Sequence, residues 1–175
     1  MKNVVLIGFM GTGKTSTGRL LASRLGRPFI DTDQKVENEN NMTISEMFSV
    51  YGEQFFRQKE QEVIAKVSRY TCTVIATGGG VVLMPENIAR LKSNGVLIAL
   101  TASLDVILER TSRRNSRPLL DRPDREAIVS KMLQERSGFY NSADLSIDTS
   151  EKTPQQVSDM IITFLRQGGY LRGRC

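Results

Sequence analysis

Short apolar runs alternate along the chain with longer stretches whose apolar residues recur every three or four positions. That alternation predicts an α/β fold around a mainly parallel sheet, because strands buried on both faces read as unbroken apolar runs and their crossovers as amphipathic helices. Val4–Ile7 is the first such run. Residues from about 14 to 25 follow as a helix with Leu20, Leu21 and Leu25 along one side, and Gly26 ends it. Phe29-Ile30 makes a short strand that leads into Asp31-Thr32-Asp33. The stretch from Thr43 to about Tyr70 reads as mostly helical, opened by a Thr43-x-x-Glu46 capping box and interrupted near Gly52. Thr73–Ala76 is the next strand and runs into Gly78-Gly79-Gly80. Pro85 opens a helix, 95–100 forms a strand, 103 to about 111 a helix, about 125–140 a long helix, and 145–147 a short strand. Pro154 opens the last helix, which stops before Gly168-Gly169, and the Arg172-Gly173-Arg174 tail is expected to fray. No repeat or linker breaks the series, so residues 1–175 are read as one domain.

Composition narrows the class. With 39% hydrophobic and 25% charged residues the chain has the make-up of a soluble globular protein. No apolar run approaches the roughly 18 residues that span a bilayer, and Val4–Ile7 is too short for a signal-peptide core. A cytoplasmic location without membrane association is therefore expected. There is no histidine, and Cys72 and Cys175 form no C-x-x-C pair. Zinc and redox motifs are thereby disfavoured, and Ser–His and Cys–His nucleophiles are excluded. Any proton acceptor must be a carboxylate or come from the substrate. The net charge of +5 suits either nucleic acid or anionic small molecules. Arg110, Arg113, Arg114, Arg117, Arg122 and Arg125 crowd one segment with no aromatic residue among them for bases to stack on, which favours a polyphosphate ligand over a nucleic-acid partner.

One segment fixes the donor chemistry. Gly8-Phe9-Met10-Gly11-Thr12-Gly13-Lys14-Thr15 satisfies G-x-x-x-x-G-K-[ST] between a buried strand and a helix, the context in which that pattern is a phosphate loop. Its glycines let backbone N–H groups turn inward around an anion, and the helix N-terminus adds partial positive charge. Gly11, Thr12, Gly13, Lys14, Thr15 and Ser16 are the expected ATP-binding run, with Lys14 at the terminal phosphates and the Thr15 hydroxyl on Mg2+. The strand 73–76 ends in Thr77 and glycines with no acid, so Asp31, at the end of the second strand, is the expected outer carboxylate for the metal. The absence of N-K-x-D argues against a GTPase.

The remaining candidates lie on the acceptor side. Asp31 and Asp33 leave the sheet at its carboxyl edge, where α/β proteins bind ligands; Asp33 is assigned toward an acceptor hydroxyl, the plainer alternative being a helix cap. Arg57, one helical turn before Glu60, is either a surface ion pair or a fork for a substrate carboxylate. Gly78-Gly79-Gly80 is a strand-end turn or a place where backbone must come within contact distance of a ligand. Arg117-Pro118-Leu119-Leu120, within about 112–124, reads either as a solvated charged loop or as a mobile lid whose Arg117 closes over the phosphates.

Taken together, G-F-M-G-T-G-K-T at 8–15, D-T-D at 31–33, F-F-R at 55–57, T-G-G-G at 77–80, R-P-L-L at 117–120 and E-R-x-x-x-Y at 135–140 closely resemble the shikimate kinases over nearly the whole chain. The resemblance implies a three-layer αβα fold of the nucleoside-monophosphate-kinase type with a five-stranded parallel sheet, a lid, and a helical substrate-binding region at about 32–62. It implies transfer of the ATP γ-phosphoryl group to the 3-hydroxyl of shikimate with Mg2+; separately, a monomer is expected. By carry-over, Asp33 binds the acceptor hydroxyls and is the candidate base; Arg57 and Arg136 hold the carboxylate beside backbone from Gly78 to Gly80. Arg117 and Lys14 serve the phosphates, Arg110 and the region of Pro154 sandwich the adenine, and Ile44, Phe48 and Phe56 form an apolar wall. The alternative is a related kinase of another hydroxy acid, such as gluconate.

Overall fold

The computed structural model describes residues 2–112 and 124–171. Among them five strands, β1 (Asn3–Gly8), β2 (Phe29–Asp31), β3 (Val74–Ala76), β4 (Gly95–Thr101) and β5 (Leu145–Asp148), form one parallel sheet in the order β2-β3-β1-β4-β5. The helices are α1 (Lys14–Leu25), α2 (Thr32–Asn40), α3 (Ile44–Val67), α4 (Pro85–Ser93), α5 (Leu104–Ser112), α6 (Arg125–Ser137) and α7 (Pro154–Gln167).

Alternation of strand side chains builds the layers. Val5 and Ile7 of β1, Ile75, Leu97 and Ala99 face one side, where Val36, Met47, Phe56, Val63, Ile64 and Leu91 cover them. Val4 and Leu6, Val74, Val96, Ile98 and Leu100 face the other, against Leu21, Ala22, Val157, Ile161 and Leu165. The expected five-stranded parallel αβα arrangement is therefore what these residues form. A third cluster, Phe9, Met10, Ile107 and Val129, underpins the loop that follows β1.

Three boundaries differ from the sequence expectation. Thr32–Asn40 is helical although only Val36 among its residues is apolar; with no 3.6-residue stripe to read, its helix is set by the Asp31 cap and by packing on α3. The expected helix over about 125–140 ends at Ser137 and tightens into a 3-10 turn over Gly138–Ser142. The helix from Thr43 stops at Val67 rather than Tyr70. Within it the capping box of Thr43 and Glu46 is formed, and Gly52 (φ 81°, ψ 172°) breaks the helix where expected.

At the end of β1, Gly8 has φ 148°, and a Cβ there would sit 2.2 Å from the Leu100 carbonyl oxygen of the neighbouring strand. Backbone cannot swing away as a side chain can. Gly8→Ala is expected to cost about 1–3 kcal/mol, lowering the melting midpoint by roughly 3–10 °C in a calorimetric scan. An unchanged midpoint would contradict this packing.

Candidate active site

The carboxyl ends of β1, β2, β3 and β5 deliver their following segments to one edge of the sheet, and a cleft of about 540 Å3 opens there between Met10–Thr17, Asp31, Asp33, Thr77, Arg110, Thr149, Lys152 and Pro154. Gly13, at φ 89°, is the left-handed residue that turns the loop into α1. Lys14 is buried, and its Nζ donates to the carbonyls of Gly8 and Phe9, both at 2.8 Å, so the ammonium is held against the loop. The Thr12 hydroxyl donates to the Phe9 carbonyl at 2.8 Å, and the Thr149 hydroxyl to the Thr12 carbonyl at 3.0 Å. Arg110 reaches the same wall: Nη1 donates to the Gly11 carbonyl (3.3 Å) and Thr149 Oγ1 (3.1 Å), and Nη2 to the Thr149 carbonyl (2.8 Å).

Asp31 uses its two oxygens separately. Oδ1 accepts from the N–H groups of Asp33 (3.1 Å) and Gln34 (3.4 Å), capping α2, while Oδ2 accepts the Thr15 hydroxyl at 2.8 Å. The cap suggested for one of the paired aspartates thus falls to Asp31, which leaves the Asp33 carboxylate out of the cap. Thr32, between them, accepts the Gly78 N–H at 3.1 Å and so ties the turn after β3 to the start of α2.

Each glycine of that turn meets a different functional group. A Cβ on Gly78 would lie 2.3 Å from Asp33 Oδ1 and 3.0 Å from Glu60 Oε1. One on Gly80 would lie 2.3 Å from Arg57 Nη1 and 2.6 Å from its Nη2. Gly79 runs beside the phosphate-loop backbone, 3.3 Å from the Met10 nitrogen by the same measure, and its carbonyl accepts from Arg136 Nη1 at 3.1 Å. The residues that need this bare backbone are therefore the chain's own carboxylate and guanidinium groups.

Arg57 lies on the second segment of α3, over the Phe56 ring at 5.1 Å, and its Nη1 donates to Glu60 Oε2 at 2.9 Å. Glu60 is buried, which excludes the plain surface ion pair for this contact. Burial pushes the Glu60 carboxyl above its ordinary value; Arg57 and Arg136 pull it back only in part, and nearby Asp33 adds to the rise. Burial would lower Arg57, but Glu60 and Glu53 outweigh it and the guanidinium is held above its ordinary value. Arg136 is buried over the Phe9 ring at 5.3 Å; burial and then the like charge of Arg57 hold it below the ordinary value, against the pull of Tyr140. Burial pushes the Tyr140 phenol up to about 12, so it stays neutral. Phe48 packs on Phe56 with ring centres 5.1 Å apart, and Ile44 packs against the same cluster.

The fold thus gathers the phosphate-loop residues with Asp31, Arg110 and Pro154, and sets Asp33, Arg57 and Arg136 around the 78–80 turn. The lid assignment, with Arg117, lies outside the described residues. Phe9, Thr32 and Thr149 carry no separate role on sequence grounds. Thr149 had one usable signal, its place directly after a strand at the carboxyl edge; Phe9 and Thr32 sit inside motifs whose neighbours draw the attention.

A model of the shikimate kinase family matches residues 10–166. A shikimate kinase of Thermodesulfovibrio yellowstonii is 49% identical over 162 residues, 93% of this chain and 94% of that protein. Among solved structures, shikimate kinase from Acinetobacter baumannii in complex with shikimate superposes with a TM-score of 0.92 at 32% identity, covering 96% of this chain and 94% of that one. A gluconokinase from Sinorhizobium meliloti shares the fold alone, with a TM-score of 0.62 at 14% identity.

Proposed function

The chain belongs to the shikimate kinase family, and from that premise we propose how its own residues move the ATP γ-phosphoryl group to the 3-hydroxyl of shikimate. The observation that carries the acceptor assignment is the grouping of two buried or half-buried guanidiniums, Arg57 and Arg136, with the Asp33 carboxylate around one glycine turn. Shikimate is a small carboxylate with several hydroxyls; cationic forks suit the first and a hydrogen-bond-accepting carboxylate the second. A fold-level likeness at 14% identity offers no comparable support for gluconate.

On the donor side, backbone N–H groups of Gly11 to Ser16 and the α1 N-terminus cradle the phosphates, and Lys14 leaves its carbonyl partners to meet the terminal ones. Arg110 and Pro154 border the part of the cleft assigned to the adenine. The Thr15 hydroxyl and Asp31 Oδ2, 2.8 Å apart at the cleft, are hard oxygen donors that would hold Mg2+, which would supply charge neutralisation on the phosphates. Asp33 orients the acceptor hydroxyl and takes its proton as the phosphoryl group transfers. Because that transfer passes through a loose transition state, positioning and electrostatics carry most of the rate. Arg117 is assigned to the phosphates. We assign the activity to a monomer in the cytoplasm, where ATP is available.

The test is an ADP-release assay over a panel of hydroxy acids: shikimate should give ADP in its presence only, and turnover with gluconate but not shikimate would overturn the assignment. Within that assay, Arg57→Ala and Arg136→Ala should each raise the shikimate KM by about 10- to 100-fold with little change in ATP affinity, the loss of a charge-assisted pair. A KM unmoved by both changes would place the carboxylate elsewhere.

A further inference from the structure

Arg57 is engaged by a second carboxylate for which the proposed reaction has no use. Glu53 Oε1 accepts from both Nε (3.2 Å) and Nη2 (3.1 Å) of Arg57, the side edge of the guanidinium. A planar carboxylate ligand grips a guanidinium through two such N–H groups on one edge. The two acids on Arg57 differ in kind: the Glu60 side chain is 1% exposed and fixed in the interior, whereas that of Glu53 is 60% exposed. Glu53 also follows Gly52 directly, the residue at which α3 is broken, so it stands at the free start of the second helical segment.

We propose that Glu53 is a built-in competitor for the acceptor carboxylate: it holds the side edge of the Arg57 fork until a carboxylate acceptor displaces it into solvent, and it thereby sets the affinity for that acceptor. The inference rests on the assignment of Arg57 to the acceptor. Occupancy supports it. Glu60 bonds Nη1 of Arg57 while Glu53 takes Nε and Nη2, so an acceptor carboxylate can grip the side edge only where Glu53 withdraws. Asp33 and Glu60 are packed against Gly78, so Glu53 is the one with somewhere to go. An exposed pair of this kind is weak enough to exchange.

Glu53→Gln removes the competing charge and keeps the shape. The expected result is a KM for shikimate lowered by about 2- to 5-fold with kcat unchanged, the range set by an exposed ion pair; Glu53→Ala should do the same. The methyl ester of shikimate, which has no carboxylate to compete, should show the same KM with parent and variants. A fork-positioning Glu53 makes the opposite prediction, a raised KM in both variants, and that result or an unchanged KM would overturn the proposal. Arg57→Ala separates the two levels: if it raises KM while the Glu53 variants do not lower it, the competitor fails and the carboxylate site stands. If Arg57→Ala leaves KM unchanged, both fall.

Discussion

Asp33→Asn should cut kcat by at least about 100-fold, the usual worth of a positioned proton acceptor, while ATP binding and the melting midpoint stay close to those of the parent. Stability is largely spared because the cap of α2 is Asp31, while Asp33 is a first-turn carboxylate of that helix. Such a charge at a helix N-terminus is worth about 0.3–1 kcal/mol. The catalytic loss follows from chemistry: an amide cannot take the acceptor's proton, and it can present N–H to a hydroxyl that must donate. It also removes a like charge that helps to raise the buried Glu60 carboxyl. Steady-state rates at saturating ATP, with nucleotide titrated calorimetrically, separate the two quantities. Near-parental kcat in this variant would take Asp33 out of the reaction.

Gly78→Ala should reproduce most of that loss without touching a charged residue. The backbone at Gly78 lies outside the left-handed region, so alanine is not strained by conformation. What alanine lacks is room: its Cβ would lie 2.3 Å from Asp33 Oδ1 and would force that carboxylate out of its position. A turn held by Thr32 is not free to yield in its place, since the Gly78 N–H bond to Thr32 Oγ1 ties it to α2. We expect kcat to fall by about 100-fold, as for a displaced proton acceptor, with the fold intact by circular dichroism. Because both changes act through one carboxylate, Gly78→Ala/Asp33→Asn should be scarcely slower than Asp33→Asn alone. Additive losses in the double variant would mean that Gly78 acts by some other route.

Much of the molecule was legible before any coordinates. The buried strands announced themselves as Val/Ile/Leu runs, and the phosphate loop by a spacing that few other structures need. α2 was not legible, because a polar helix leaves no hydrophobic stripe and its formation depends on the cap and on α3. The break at Gly52 was legible, since glycine is the residue that φ 81° requires.

At the site the division is sharper. The residue types and their order along the chain determined the donor chemistry, the carboxylate at Asp33 and the arginines to pair with it, because each motif is local and its spacing carries the geometry. Only the tertiary structure decided why three glycines stand in a row, and that of the two acids on Arg57 it is Glu60 that is buried and Glu53 that is exposed. Those facts depend on how far α3, the turn after β3 and α6 approach one another, and such distances are set by packing across the sheet, which no local spacing along the chain encodes.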